Sequence, residues 1–394
     1  MVRTVVLAAI AAAAATAACT PTLPDAARIG DPVPGLTEEE LARFDAGRAL
    51  FDRVFSVDEG TGPLFNENQC SACHTFPEPG GTGEQLVIKA TRRLPDGSCD
   101  ILASEGGENL RRQATPALAR LGIERDTIPS ATADIATFAV PFLFGLGAAD
   151  LVPERALHEA ADPDDIDGDG ISGRVGRTPD GRVGRFGRKA DVASLDDFTH
   201  LALFNEMGIT TTSHARERGP NGAPLPDGVD PAPDPELGDD RVDLITDFVR
   251  MLAPPPRRTP DPGDDPDATA LIAHGEALFT AIGCAACHTP HVTTGPSPLA
   301  PLDRVRAPLY SDLLLHDLGP ALASTCAPGA TETEYRTAPL LGLGARRTYL
   351  HDLRAFSLER AIELHGGEAR SARDAFAALP VADRQALLRF LRSL

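Results

Sequence analysis

The chain has 394 residues, too many for one small module and enough for two domains. Its 57 acidic residues against 37 basic ones give a formal net charge of −20, which repels nucleic acid and anionic lipid and excludes both as partners. Seven Cys are too few for a disulfide-built scaffold, and 36 Gly with 35 Pro imply many loops.

Residues 1–18 carry one charge, Arg3, ahead of an Ala-rich apolar run over Val5–Ala15. This layout predicts an export signal and is too short and Ala-rich for a membrane span. Thr16, Ala17 and Ala18 lead to Cys19, which resembles a bacterial lipoprotein cleavage site; plain cleavage near Ala17 is the alternative. Either route places the mature chain in the periplasm, with a membrane reached only through a lipid on Cys19. Residues 19–36 read as a flexible Pro-rich tether.

Thr37-Glu38-Glu39-Glu40 fits a capping box and opens a helix carrying Leu41, Phe44 and Phe51, with Gly47-Arg-Ala-Leu-Phe51 inside it. A second helix, starting after Asp267, carries Gly275-Glu-Ala-Leu-Phe279. Each of these repeats is followed by Cys-x-x-Cys-His. The two halves also end alike. Val242, Ile245, Phe248, Val249 and Leu252 form one helical stripe, and Leu387, Phe390, Leu391 and Leu394 form the other. Between the halves, residues 254–267 hold six Pro and four Asp and read as a linker. The first domain is therefore set at 37–253 and the second at 268–394, with an exposed loop expected over Asn221–Asp240.

Cys70-Ser71-Ala72-Cys73-His74 and Cys284-Ala285-Ala286-Cys287-His288 have the form of c-type haem attachment sequences. Two thiols separated by two residues reach both vinyl groups of a porphyrin, and the next residue brings an imidazole to the iron. A zinc site made from the two Cys pairs is the competing reading, but it leaves the His after each pair without a role. Two covalently bound haem c groups are thus expected, with His74 and His288 as proximal ligands.

Several further segments resemble the bacterial di-haem oxidoreductases, relatives of the di-haem cytochrome c peroxidases. They are Phe144-Gly-Leu-Gly147, the acidic stretch Asp162–Gly173, Gly184-Arg-Phe-Gly187, Glu206-Met-Gly-Ile-Thr210, Tyr310–Gly319, Arg336-Thr-Ala-Pro339 and Tyr349–Gly367. The resemblance implies a mainly α fold of two cytochrome-c-like helical domains with long loops, one haem in each. In the similar peroxidases the place of His365 supplies the sixth ligand of the second haem, usually Met; His here implies a lower potential. Glu154-Arg-Ala-Leu157 mirrors Glu359-Arg-Ala-Ile362, so His365 corresponds to Ala160, which cannot bind iron. The first haem is then the open site, with Met207, His158 and His200 as rivals for its sixth position.

By the same resemblance a distal acid is expected at Asp150, where many members have Glu, or at Asp164 or Asp165; a helix-capping role for Asp150 is the alternative. The family's Trp after Gly-Arg-Phe-Gly is Arg188 here, and only Tyr310, Tyr335 and Tyr349 can stand in for a Trp relay. Asp165, Asp167 and Asp169, followed by Gly170, match the opening of an EF-hand calcium loop, but position 12 is Gly176; calcium and a plain acidic turn both fit. Cys99 and Cys326 can be bonded or free. His316-Asp317 and His351-Asp352 read as outer partners of a haem or as ordinary loop contacts. The leading functional expectation is reduction of hydrogen peroxide with electrons from a small cytochrome c or copper protein. The alternatives are oxidation of an organic or protein substrate by oxygen or peroxide, and non-catalytic electron transfer.

Overall fold

The structure, a computed structural model, describes residues 20–258 and 267–394. The export signal over 1–18, Cys19 and most of the 254–267 linker lie outside the described residues.

Thr37 caps the first helix in the predicted way. Its Oγ1 accepts the Glu40 N–H at 3.3 Å, and the Glu40 carboxylate accepts the Thr37 N–H at 2.7 Å. That helix, Glu38–Phe51, crosses the helix Asp239–Met251 at Gly47, where a Cβ would stand 2.0 Å from the Leu244 carbonyl oxygen. The helix Ala268–Ala281 crosses Val381–Ser393 in the same manner at Gly275, with a Cβ 2.1 Å from the Ala386 oxygen. Rings fill the space beside both crossings. Phe44 and Phe51 lie 5.1 and 5.0 Å from Phe248, and Phe279 lies 5.4 Å from Phe390. The repeated G-x-A-L-F is thus a packing device: a residue without a side chain lets two backbones touch, and Phe one turn on closes the gap.

The expected mainly α fold does not hold. Among the described residues, helices take 35% and strands 13%. A four-stranded antiparallel sheet follows the first Cys motif. Leu86–Arg93 pairs with Asp134–Ala139 in a register that runs from Leu86 opposite Ala139 to Thr91 opposite Asp134. The same strand also pairs with Asn109–Leu110 and with Cys99–Asp100. Shorter pairs join Leu64–Phe65 to Gln113–Ala114, Val292–Thr293 to Arg306–Ala307, and Leu315–Asp317 to Glu334–Arg336. The physical signal is the β-branched content of Val87, Ile88, Thr91, Ile135 and Thr137, which favours extended pairing. Among the described residues no helix is long and apolar enough to cross a membrane.

The larger core runs from Leu23 to Leu341 and takes in Leu302, Val305, Leu309 and Leu314 from beyond the linker. The smaller one gathers Phe279, Tyr310, Leu387, Phe390 and Leu394. Within the segment expected as a flexible tether, Leu23, Ala26 and Val33 are buried. Leu23 N–H donates to the Arg306 carbonyl and Arg306 N–H to that of Pro21, both at 2.8 Å, while Val33 N–H donates to Met251 at 2.8 Å. The segment is therefore a strap laid across both halves. Cys99 and Cys326 form a disulfide, with Cα atoms 5.9 Å apart. Nearby, Arg93 holds Glu332 through two parallel 2.8 Å bonds, a bidentate pair that also joins the halves.

Candidate haem sites

Each Cys motif folds as a single helical turn, Cys70–Cys73 and Cys284–Cys287. The following His leaves the helix with nearly the same backbone in both: φ −96°, ψ 63° at His74 and φ −82°, ψ 59° at His288. Both imidazoles are tied down through Nδ1. His74 Nδ1 lies 3.1 Å from the Gly81 carbonyl oxygen, and His288 Nδ1 lies 3.0 Å from that of Tyr310. A carbonyl only accepts, so Nδ1 carries the proton and Nε2 keeps its lone pair for a metal. Burial pushes both imidazoles down to about 4, which keeps them neutral at neutral pH.

His365 is built to the same rule. It ends the helix Leu358–Leu364, its Nδ1 lies 2.7 Å from the Ala361 carbonyl oxygen, and burial lowers its pKa. Its segment is tied to the second motif through Glu368, which meets His316 at 2.8 Å beside Cys287. Tyr310 supports that site through its carbonyl, while its hydroxyl donates to Glu276 at 3.0 Å.

The first site lacks such a partner. Ala160, the counterpart of His365, ends the helix Glu154–Ala160. Of the three rival ligands, His158 is exposed, and buried His200 is engaged with the Thr211 hydroxyl at 2.7 Å. Met207 is the one beside the motif, its Sδ 4.0 Å from Cys70 Sγ. The next residue back, Glu206, was not singled out from sequence except as part of a resembling segment. Its carboxylate accepts from the Asn66 and Asn109 side-chain amides at 2.7 and 2.8 Å, and burial raises its pKa. The Glu206 carbonyl accepts the N–H groups of Asn66 and Glu67 at 2.6 and 3.2 Å, which places this residue against the segment that leads into the first motif.

The residues fit haem better than zinc. Among the described residues no cluster of ligating side chains joins the two Cys pairs.

The other expected site residues lie elsewhere. Asp150 accepts the Leu195 N–H at 2.9 Å, at the start of the helix Leu195–Ala202, and lies 3.5 Å from Arg250 Nε. Its carboxylate thus fastens two helices together. Asp164 and Asp167 are exposed. Asp165 accepts the Gly170 N–H at 3.1 Å and Asp169 that of Ile171 at 2.8 Å. The carboxylates that converge are Asp162, Asp165 and Asp167, with Asp169 outside the group. The turn is closed by backbone N–H groups that donate to its own Asp side chains. Arg188, at the family's Trp position, donates to the Ala139 carbonyl at 3.0 Å. Tyr335 stacks on His351 with ring centroids 4.6 Å apart, and the Tyr349 hydroxyl donates to Arg346 at 3.1 Å. His316 takes Asp312 and Glu368 as partners rather than Asp317.

A second acidic group joins the expected Asn221–Asp240 loop to Glu217, just ahead of it. Glu217, Asp230, Asp234 and Glu236 bring their oxygens within 4.8 Å of one another. Burial and then its neighbours' charges raise Glu217 to about 10, and burial raises Glu236 to about 7. Both pKa values are raised above the 4.5 of an unperturbed Glu. Their contribution to stability is therefore complete below pH 4.5 and fades as pH climbs through about 7 and then about 10. Glu217→Gln, a neutral replacement, is expected to melt roughly 1–2 °C above the parent at pH 8, the shift that about 1–2 kcal/mol makes in a chain of this size. The gain should vanish near pH 4.5; thermal melts at the two pH values check it, and equal shifts would refute the assignment.

A family model described as "Di-haem oxidoreductase, putative peroxidase" matches residues 135–394. The chain is similar to a MauG-like protein associated with microbial copper homeostasis (17% identity, 94% of this chain and 93% of that one, TM-score 0.40). It is also similar to a variant of the di-haem peroxidase BthA from Burkholderia thailandensis (15%, 95% and 94%, 0.41). A third likeness is to hydrazine synthase of Kuenenia stuttgartiensis (15%, 100% and 100%, 0.38). No curated protein matches the chain.

Proposed function

Because the chain belongs to the di-haem oxidoreductase family, we propose that it reduces hydrogen peroxide at a haem held by Cys70, Cys73 and His74. The electrons would arrive through a second haem held by Cys284, Cys287, His288 and His365. The observation that carries this reading is the asymmetry of the two sites. The second offers two imidazoles with free Nε2 atoms, whereas the first offers one, with Ala160 at the corresponding place.

When bound, each haem supplies reversible one-electron chemistry, and a five-coordinate iron supplies a place for peroxide. The chain's own residues do the rest. Gly81 and Tyr310 orient the two proximal imidazoles by accepting at Nδ1. Glu206 is the acid best placed to move a proton from the near to the far peroxide oxygen. Burial favours its protonated form, and two amides hold its oxygens in place. The balance is two electrons and two protons per peroxide, giving two waters. The net charge of −20 favours a small basic redox protein, a cytochrome c or a copper protein, as donor by long-range attraction. Periplasmic location follows in this reading from the expected export signal, and a lipid on Cys19 would be the one membrane contact. Calcium at Asp162, Asp165 and Asp167 is not required by this reading, and a titration after chelation tests it separately.

A second reading has its own support. Met207 beside Cys70 would, as a sixth ligand, close the first site and make the protein an electron carrier. Cyanide titration of the ferric protein separates the two. The expected result is two haems by pyridine haemochrome, one cyanide bound per chain, and peroxide turnover with a reduced basic cytochrome. No cyanide bound would establish the carrier, and haem content of zero would end both readings.

A further inference from the structure

His316 is 3% exposed and lies between two carboxylates. Its Nε2 is 2.9 Å from Asp312 Oδ2, and its Nδ1 is 2.8 Å from Glu368 Oε2. Ionised carboxylates only accept, so both ring nitrogens carry protons and the side chain is an imidazolium. Both carboxylates are themselves tucked in, Asp312 being 7% exposed.

The groups around this ring come from different segments. Asp312 belongs to the second motif's segment, where its backbone N–H donates to the Cys287 carbonyl at 3.0 Å, and Cys287 Sγ lies 3.6 Å from His316 Nδ1. Glu368 lies three residues beyond His365, in the turn Gly367–Ala369. The acidic loop of the first half joins them. Ser172 donates its hydroxyl to Glu368 Oε1 at 2.7 Å and its N–H to Oε2 at 3.1 Å. The next residue, Gly173, has φ +20°, and a Cβ there would lie 2.9 Å from His316 Cε1. The loop backbone therefore rests on the ring itself, with no room for a side chain.

We infer that His316 and Glu368 are positioning residues that clamp the His365 segment to the Cys287–Asp312 segment across the second haem, and that Ser172 ties this clamp to the first half. The physical reason is reach. His365 ends its helix and is followed at once by Gly366-Gly367, a pair with little stiffness of its own. Something beyond the glycines must fix where the imidazole stops, and Glu368 is the first residue after them. The inference rests on the reading of His365 as the sixth ligand.

The test uses the haem-loaded protein and compares His316→Gln, Glu368→Gln, Ser172→Ala and His365→Ala. The readouts are spin state by electron spin resonance and cyanide affinity of the second haem. His365→Ala is the control for the underlying reading: it should turn the second haem high-spin and let it bind a second cyanide. Were it to leave the spectrum unchanged, the ligand assignment itself would fall. Given a positive control, Glu368→Gln and His316→Gln should bind cyanide at the second haem about 10–100-fold more tightly, the scale on which outer hydrogen bonds tune metal ligation. Added imidazole should return both variants to the low-spin form. If either variant fails to retain two haems, Ser172→Ala, which removes one hydroxyl, decides; its effect should be smaller and in the same direction. Parent-like affinity in the folded variants, beside a converted His365→Ala, would overturn the clamp alone.

Discussion

Replacing Cys70 and Cys73 together with Ala is expected to leave one haem per chain and to lower peroxide turnover by on the order of 10³-fold or more, as removal of a reacting group does. The reason lies in how the first motif is built. The single turn Cys70–Cys73 presents both thiols, and His74 follows with its Nδ1 committed to Gly81. Without the thioethers, haem at this site would depend on one His–iron bond, with no second axial ligand at Ala160 to help. Cyanide binding should disappear with the turnover, because the proposed function puts the open position at this site. The paired variant Cys284→Ala with Cys287→Ala should also hold one haem and lose turnover with a protein donor, yet keep its cyanide site. If instead the first variant kept its cyanide site and the second lost it, the roles of the two haems would be reversed. Haem content, cyanide titration and turnover on the same preparations decide between these outcomes.

The second large effect concerns stability. Replacing Cys99 and Cys326 with Ser should lower the unfolding free energy by about 2–5 kcal/mol, the usual result of deleting a native disulfide. The bond closes a loop across 227 positions, so the unfolded chain gains much freedom when it is removed. It also joins the sheet of the first half to the segment holding Glu332, whose pair with Arg93 spans the same junction. Denaturant unfolding without reductant measures the loss, and haem content should stay at two. A change below about 0.5 kcal/mol, the range of ordinary surface substitutions, would show that the bond adds nothing to the fold.

Much of the site was legible because it is local. The Cys-x-x-Cys-His spacing, the Thr37–Glu40 capping box and the glycine of each G-x-A-L-F repeat depend on residues within one or two turns. The repeat also pointed to Ala160 as the counterpart of His365, and in the folded chain only the latter is arranged as a ligand. The acids were less legible. Asp150 accepts from Leu195 and pairs with Arg250, and Asp165 bonds within its own turn. Glu206 is buried as Asp150 is, and its partners Asn66 and Asn109 lie 140 and 97 positions away. The sheet built on Leu86–Arg93 was missed for a related reason: its strands are short and half-buried, and their partners are set by pairing rather than by periodicity.

By itself, then, the sequence determined the two Cys-x-x-Cys-His turns, the histidine that follows each, and the doubling of a helix-crossing pattern. Each is specified by atoms close along the chain, where covalent geometry leaves few alternatives. Only the tertiary structure decided the rest: the bond between Cys99 and Cys326, the strap over both halves, Glu206 against Asn66 and Glu67, and His316 held between Asp312 and Glu368. Cys99 and Cys326 stand 227 positions apart, and Pro21 and Arg306, joined by the strap, further still. Their partners are selected by the packing of the whole molecule, since a buried carboxylate or imidazole is stable only where folding brings its counterpart to it.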